Sequence, residues 1–142
     1  ADFIGTTNFV DGTVESKARD SYYRVKTDIG QLTVYSAVEL NPGSRVVISI
    51  RPENILVSHE RPNSENVLEA AIDTRIFLGE YVDLALKLGE TILQARVHPS
   101  LRVSTGEQVF LEMDPEKCIA LPDTDKFEPE KIEVSRESKA VS

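Results

Sequence analysis

Apolar and polar residues alternate with a period of two along most of the first 120 positions, and no stretch sustains the period of an amphipathic helix. The cleanest case is residues 81–88, where Val82, Leu84, Leu86 and Leu88 fall on one face and Tyr81, Asp83, Ala85 and Lys87 on the other. Such a segment predicts a strand with one wet face. Residues 8–15 (NFVDGTVE) alternate similarly, with Gly12 placed for a bulge or a close backbone approach. Residues 16–20 read as a charged loop. Two β-prone runs, 22–27 and 31–35, flank Asp28, Ile29 and Gly30 as a hairpin, and Gly89-Glu90 joins 81–88 to 91–97 in the same manner. Residues 76–79 (IFLG) read as an apolar turn, and Asn41-Pro42-Gly43 has strong turn chemistry.

One pattern occurs twice. GSRVVISIRPENILV (43–57) lies over GEQVFLEMDPEKCIAL (106–121) with Gly43 on Gly106, Pro52 on Pro115 and Glu53 on Glu116. Each copy predicts a buried strand, a Pro-Glu corner and a second short strand. Proline directly after a strand removes the next ladder donor, so the corner ends one pairing and begins another. Residues 66–73 (NVLEAAID) also lie over 8–15, Asn66 on Asn8. The polar hinge 60–66 (ERPNSEN) separates the copies. About five short strands per half, with no helix layer to cover them, bury their apolar faces best by curling into a small barrel of the OB type. The predicted fold is therefore all-β: two similar OB-like five-stranded half-barrels packed together, over 1–60 and 61–122. Residues 123–142 form a polar, disordered tail in this reading, although Phe127, Ile132 and Val134 could let part of it lie on the barrel.

Composition narrows the function classes. With 142 residues the chain can bury a core without staples, and its single cysteine, Cys118, has no internal partner. A net charge of −8 and the absence of tryptophan argue against nucleic acid and against anionic lipid as partners. No apolar run approaches the roughly 20 residues of a membrane span. The sequence starts without methionine, which suggests a piece of a longer protein.

Ingredients for catalysis are present but not assembled. His59 lies in the polar hinge and His98 precedes Pro99, so both read as exposed loop residues, and no catalytic or metal-ligating residue is assigned. Glycines at 5–12 and 79–89 lack the Gly-Lys-Ser or Gly-Lys-Thr ending of a phosphate loop, so no cofactor is expected in this chain. Cys118 reads as a small core residue. Arg51 and Glu53 flank Pro52 with opposite charges. Either a partner grips them, or Arg51 satisfies corner carbonyls while Glu53 accepts backbone donors. The second copy keeps Pro115 and Glu116 but has Asp114 in place of Arg51, so the corner geometry is the shared feature and Arg51 remains a candidate partner contact.

FIGTTNFVDGTV, then a strand ending in IRPENI, then IFLGEY before an alternating strand, resembles the C-terminal TOBE region of ABC importer ATPases, nearest the iron, polyamine and phosphonate branch. Gly5, Asn8, Pro52, Glu53 and Gly79 carry the resemblance, as mainly structural motif residues. It implies a non-catalytic regulatory and dimerisation domain on the ATP-binding subunit of an importer. ATP and Mg would be handled by an N-terminal ATPase domain absent from this sequence. The implied partners are a second copy of the subunit, that ATPase domain, membrane permease subunits and, in some members, a regulatory protein or the solute. The implied location is cytoplasmic, at the inner face of the membrane. A small-ligand sensing barrel, for an oxyanion or a solute, is the alternative; Arg45, Arg51, Arg75, Arg96 and Arg102 supply charge for it. An oligonucleotide-binding barrel follows only from the fold and is opposed by the charge.

Overall fold

A computed structural model describes residues 7–123. Gly5 and the tail from 124 onward lie outside the described residues. Ten strands run in order: β1 (Asn8–Arg19), β2 (Tyr22–Thr27), β3 (Gly30–Tyr35), β4 (Arg45–Ile50), β5 (Ile55–Ser58), β6 (Val67–Phe77), β7 (Val82–Leu88), β8 (Thr91–Val97), β9 (Gln108–Met113) and β10 (Ile119–Pro122). The fold is all-β, as the alternation predicts. β1, β2, β3, β10 and β4 close a barrel, and β5, β9, β6, β7 and β8 form a second, curled five-stranded sheet.

The two halves repeat in detail. β4 and β9 share one alternation, sending Val46, Ile48 and Ile50, or Val109, Leu111 and Met113, inward. β1 bulges between Val14 and Ser16, and β6 between Ile72 and Thr74. Gly43 donates its N–H to Val14 O, and Gly106 donates to Ile72 O. Both glycines hold φ near 90°, a conformation that costs other residues energy. Gly12 answers a different need: a Cβ there would stand 2.4 Å from Val25 Cγ1, so β1 and β2 approach this closely only without one.

Strand membership departs from the sequence halves. The corner after β4 carries the chain out of the first barrel, and β5 pairs with β9 of the second sheet, Ile55 against Met113. The corner after β9 does the reverse, and β10 pairs with β4, Ile119 against Ser49. Each half thus gives its last strand to the other half's sheet: β10 closes the first barrel, and β5 forms one edge of the second, curled sheet. The residues beside the corners, Ile50, Ile55, Met113 and Cys118, are at most 1% exposed and join the two barrels into one apolar cluster. The predicted change of pairing at each corner is a change of sheet.

The segment 16–20, expected as a charged loop, is mostly strand. β1 runs to Arg19, pairing with β2 through Arg19 and Tyr22, although every residue of 15–20 is exposed. Ile76 and Phe77 likewise belong to β6 rather than to a turn. Beyond each bulge the strand has left the core but keeps its ladder, and backbone hydrogen bonds need no burial.

Two asparagines fasten the barrels together. Buried Asn66 accepts from Thr33 N with Oδ1 at 2.8 Å and donates through Nδ2 to Thr33 O at 2.8 Å, occupying both backbone groups of a β3 residue in the other half's barrel. Its counterpart Asn8 accepts from Gln94 N at 2.8 Å and donates to Gln94 O at 2.9 Å on β8. Each amide stands in for a ladder partner at a barrel seam. At the first seam β3 and β10 share only the single bridge Ile119–Tyr35.

Cys118 lies in the core, with Asn66 Nδ2 3.8 Å from its Sγ. Burial raises its thiol from an ordinary 9.0 to about 12. The folded state therefore favours the neutral thiol. Its contribution to stability is full below pH 9 and declines as pH climbs toward 12, because the unfolded chain ionises first. A thiol reagent at pH 8 is expected to label Cys118 rapidly in urea and only at the rate of opening in buffer. Fast labelling of the folded protein would contradict this placement.

Candidate functional site

Pairing β10 with β4 sets the two corners side by side. Ser49 opposes Ile119, so the antiparallel register carries Arg51, two residues onward, toward Lys117, two residues back. Between them lies a cleft of about 300 Å³ lined by Ser49, Arg51, Asn54, Glu116, Lys117 and Ile119.

The corners are built alike but finished differently. In both, a proline opens a single 3-10 turn, and the turn closes through Ile55 N to Pro52 O or Cys118 N to Pro115 O. At the second, Asp114 Oδ1 accepts from Glu116 N at 2.9 Å and caps the turn. At the first, Arg51 occupies the cap position without a side-chain cap bond, so its guanidinium takes no part in the corner. Among the described residues neither Arg51 nor Lys117 has a side-chain hydrogen bond or an ion pair, and both are exposed. Two uncommitted cations thus share a small cleft with a hydroxyl and an amide, against the single carboxylate of Glu116. That donor set suits a carboxylate or a tetrahedral oxyanion better than a cation.

Other clefts are more evenly balanced. One of about 380 Å³ sets Asp11 and Asp28 against Lys26 and Arg45. Arg45 also lies 3.7 Å from Asp123. Arg96 is fully engaged: it chelates Asp83 at 2.9 and 3.2 Å and stacks 4.0 Å from the Tyr81 ring. The hydrogen bond that Arg96 donates to Asp83 is the main cause raising its pKa, and Glu53 adds a smaller field. Arg75 and Arg102 lie outside the corner cleft. The arginines noted in the sequence therefore do not converge on one site.

The motif residues fall into separate places. Asn8 bridges β8 and the Ile50 carbonyl just before the corner, the latter at 3.1 Å. Pro52 is buried in the corner, whereas Glu53 is exposed and has no hydrogen bond from backbone donors. Gly79, at φ 97°, sits in the exposed β6–β7 turn. His59 and His98 are exposed and have separate partners; His59 Nδ1 lies 2.9 Å from Glu107, and His98 Nδ1 lies 2.8 Å from Ser100 Oγ. Among the described residues no three of His, Cys, Asp and Glu gather as a metal cage. Sequence reasoning missed Lys117, because only the exchange of β10 brings it to Arg51. The available signal was that the repeat places Lys117 on Asn54, two residues past the second proline in the same turn.

Comparison with known proteins adds to this picture. The family model described as the TOBE domain matches residues 48–121, more than half of the chain. Over 94 residues the chain is 33% identical to the spermidine/putrescine import ATP-binding protein PotA of Protochlamydia amoebophila and 35% identical to that of Thermotoga maritima, covering 63% of this chain and 25% of each relative. A third PotA, from Trichodesmium erythraeum, is 37% identical over 97 residues. The chain spans about a quarter of the length of these relatives. Among solved structures, the cytoplasmic molybdate-binding protein ModG with molybdate bound superposes with a TM-score of 0.75 at 17% identity, over 85% of this chain and 99% of that one. At that identity the likeness speaks for the fold alone.

Proposed function

Because this chain belongs to the TOBE domain family, we propose that it is the non-catalytic regulatory and dimer-forming module of the ATP-binding subunit of an ABC-type importer. The observation that carries the reading is its similarity to polyamine-import ATP-binding proteins over 63% of this chain, on a quarter of their length. The remainder of the subunit supplies the phosphate loop, ATP and Mg, and meets the permease at the inner face of the membrane. A second copy of the subunit and, as an effector, a regulatory protein or the solute complete the partners. The relatives point to a polyamine as the solute, while iron and phosphonate import have no support among them.

The isolated chain is expected to hydrolyse no ATP above background and to form a symmetric dimer in sedimentation equilibrium. ATP turnover by the chain, or a strict monomer at high concentration, would overturn the corresponding half of the proposal. The corner cleft favours a second reading, a ligand-sensing barrel for an oxyanion. Molybdate, phosphate, phosphonates and polyamines titrated against thermal stability separate the two. A ligand held at 100 times its Kd stabilises by about 2.7 kcal/mol. An oxyanion shift that disappears in Arg51→Glu and Lys117→Glu would assign sensing to the cleft, and no shift with any oxyanion would remove this second reading.

A further inference from the structure

The β6–β7 hairpin carries three neighbouring apolar side chains in solvent, Ile76, Phe77 and Leu78, exposed to 55%, 57% and 49%. The fold does not require them. The equivalent hairpin of the first half leaves its barrel after the same bulge and turns through Ser21, at φ 71°, where the second turns through Gly79. Its arm reads Lys17, Ala18, Arg19, Asp20, and Arg19 is spent on Glu65 at 2.9 Å. Nor is the apolar tip a loose loop. Leu78 N donates to Tyr81 O at 2.8 Å, and Arg96 braces the base through Asp83 and Tyr81.

We propose that Ile76, Phe77 and Leu78 form a docking finger that seats this module on the ATPase domain of its own subunit; this rests on the reading above that such a domain shares the polypeptide. Three features select that occupant. A lipid surface is disfavoured by the net charge of −8 and by Asp73 and Glu80 beside the lone Arg75. A second copy would need ~800 Å² per partner for a stable interface, more than three side chains supply. The third is the place where the described chain begins. Asn8 is pinned to Gln94 of β8, three residues before Val97, which pairs with Val82 opposite Phe77. Three strand spacings across, counting the step from Asn8 to β8, and three residues along put the start of β1 about 18 Å from Phe77. A domain attached ahead of β1 therefore arrives beside the finger. The matching surface is a shallow apolar groove with an acid near Arg75 and a base near Glu80.

Hydrogen exchange in the full-length subunit tests this. Amides of residues 75–80 are expected to exchange about tenfold more slowly there than in the isolated chain. Replacing all three, Ile76→Ser, Phe77→Ser and Leu78→Ser, should abolish that protection while leaving the melting temperature of the isolated chain unchanged. Equal exchange in both forms overturns the assignment. So does protection of the isolated chain that grows with its concentration, which would mean a second copy, or protection that appears only with anionic vesicles. A full-length protein without an ATPase domain sinks the parent reading instead, whereas an active ATPase with an unprotected tip sinks only the finger.

Discussion

A chain cut between Glu60 and Arg61 is expected to yield two pieces that do not fold as monomers, and one folded complex when they are mixed. The first piece retains β1 to β4 but lacks β10, so Val46, Ile48 and the β4 edge lose the strand that covers them. Its own β5 has no sheet to join, because Ile55 and Val57 pair only with β9. The second piece has the reciprocal defect. Either piece also loses an asparagine clamp on which the other relies. Domains of about 60 residues are marginal even when complete, and each of these would be missing a strand. Circular dichroism and size exclusion on the separate and mixed pieces decide the matter. A monomeric piece with native-like strand content would show that the exchanged strands are not required.

The second large effect is expected at Asn66. Its side chain holds both backbone groups of Thr33 in a fully buried place, so Asn66→Ala leaves a donor and an acceptor without water or protein partners. Each such orphan costs roughly 1–3 kcal/mol, and the pair is expected to remove about 2–4 kcal/mol in urea unfolding. Asn8→Ala should cost about half as much, because its bonds to Gln94 are only partly buried and water can replace the amide. Equal losses at the two sites would mean that the β8 seam is as dry as the β3 seam. A negligible loss at Asn66 would mean that the barrels hold without the clamp.

These effects explain which parts of the fold were legible in the sequence. The corners were, because Pro52 and Pro115 forbid continuation of a ladder wherever they occur. The repeat was, because Asn8 and Asn66, or Gly43 and Gly106, are specific residue types kept in order. The exchange of β5 and β10 was not, and the reason is physical. The two strands are equivalent copies, so the local pattern fits either barrel and only the non-local pairing decides between them. The charged arm 16–20 misled for a related reason. Alternation reports burial, and a strand that has left the core has none to report. At the candidate site Arg51 was visible by its contrast with Asp114, while its neighbour Lys117 depended on the hidden exchange. The apolar run 76–79 reads as a turn in sequence, and its exposure follows only from the way β6 leaves the core beyond its bulge.

The Asn8 clamp also governs how a mechanical load would pass through this body. Anything attached ahead of β1 pulls on a residue held at once by Ile50 in the first barrel and by Gln94 in the second. The tug is shared as shear along the antiparallel ladders that β1 makes with β4 and, from Gly12 onward, with β2. The two barrels should therefore move as a single stiff lever, so that a few degrees of rotation at the attachment become a displacement of the whole far face.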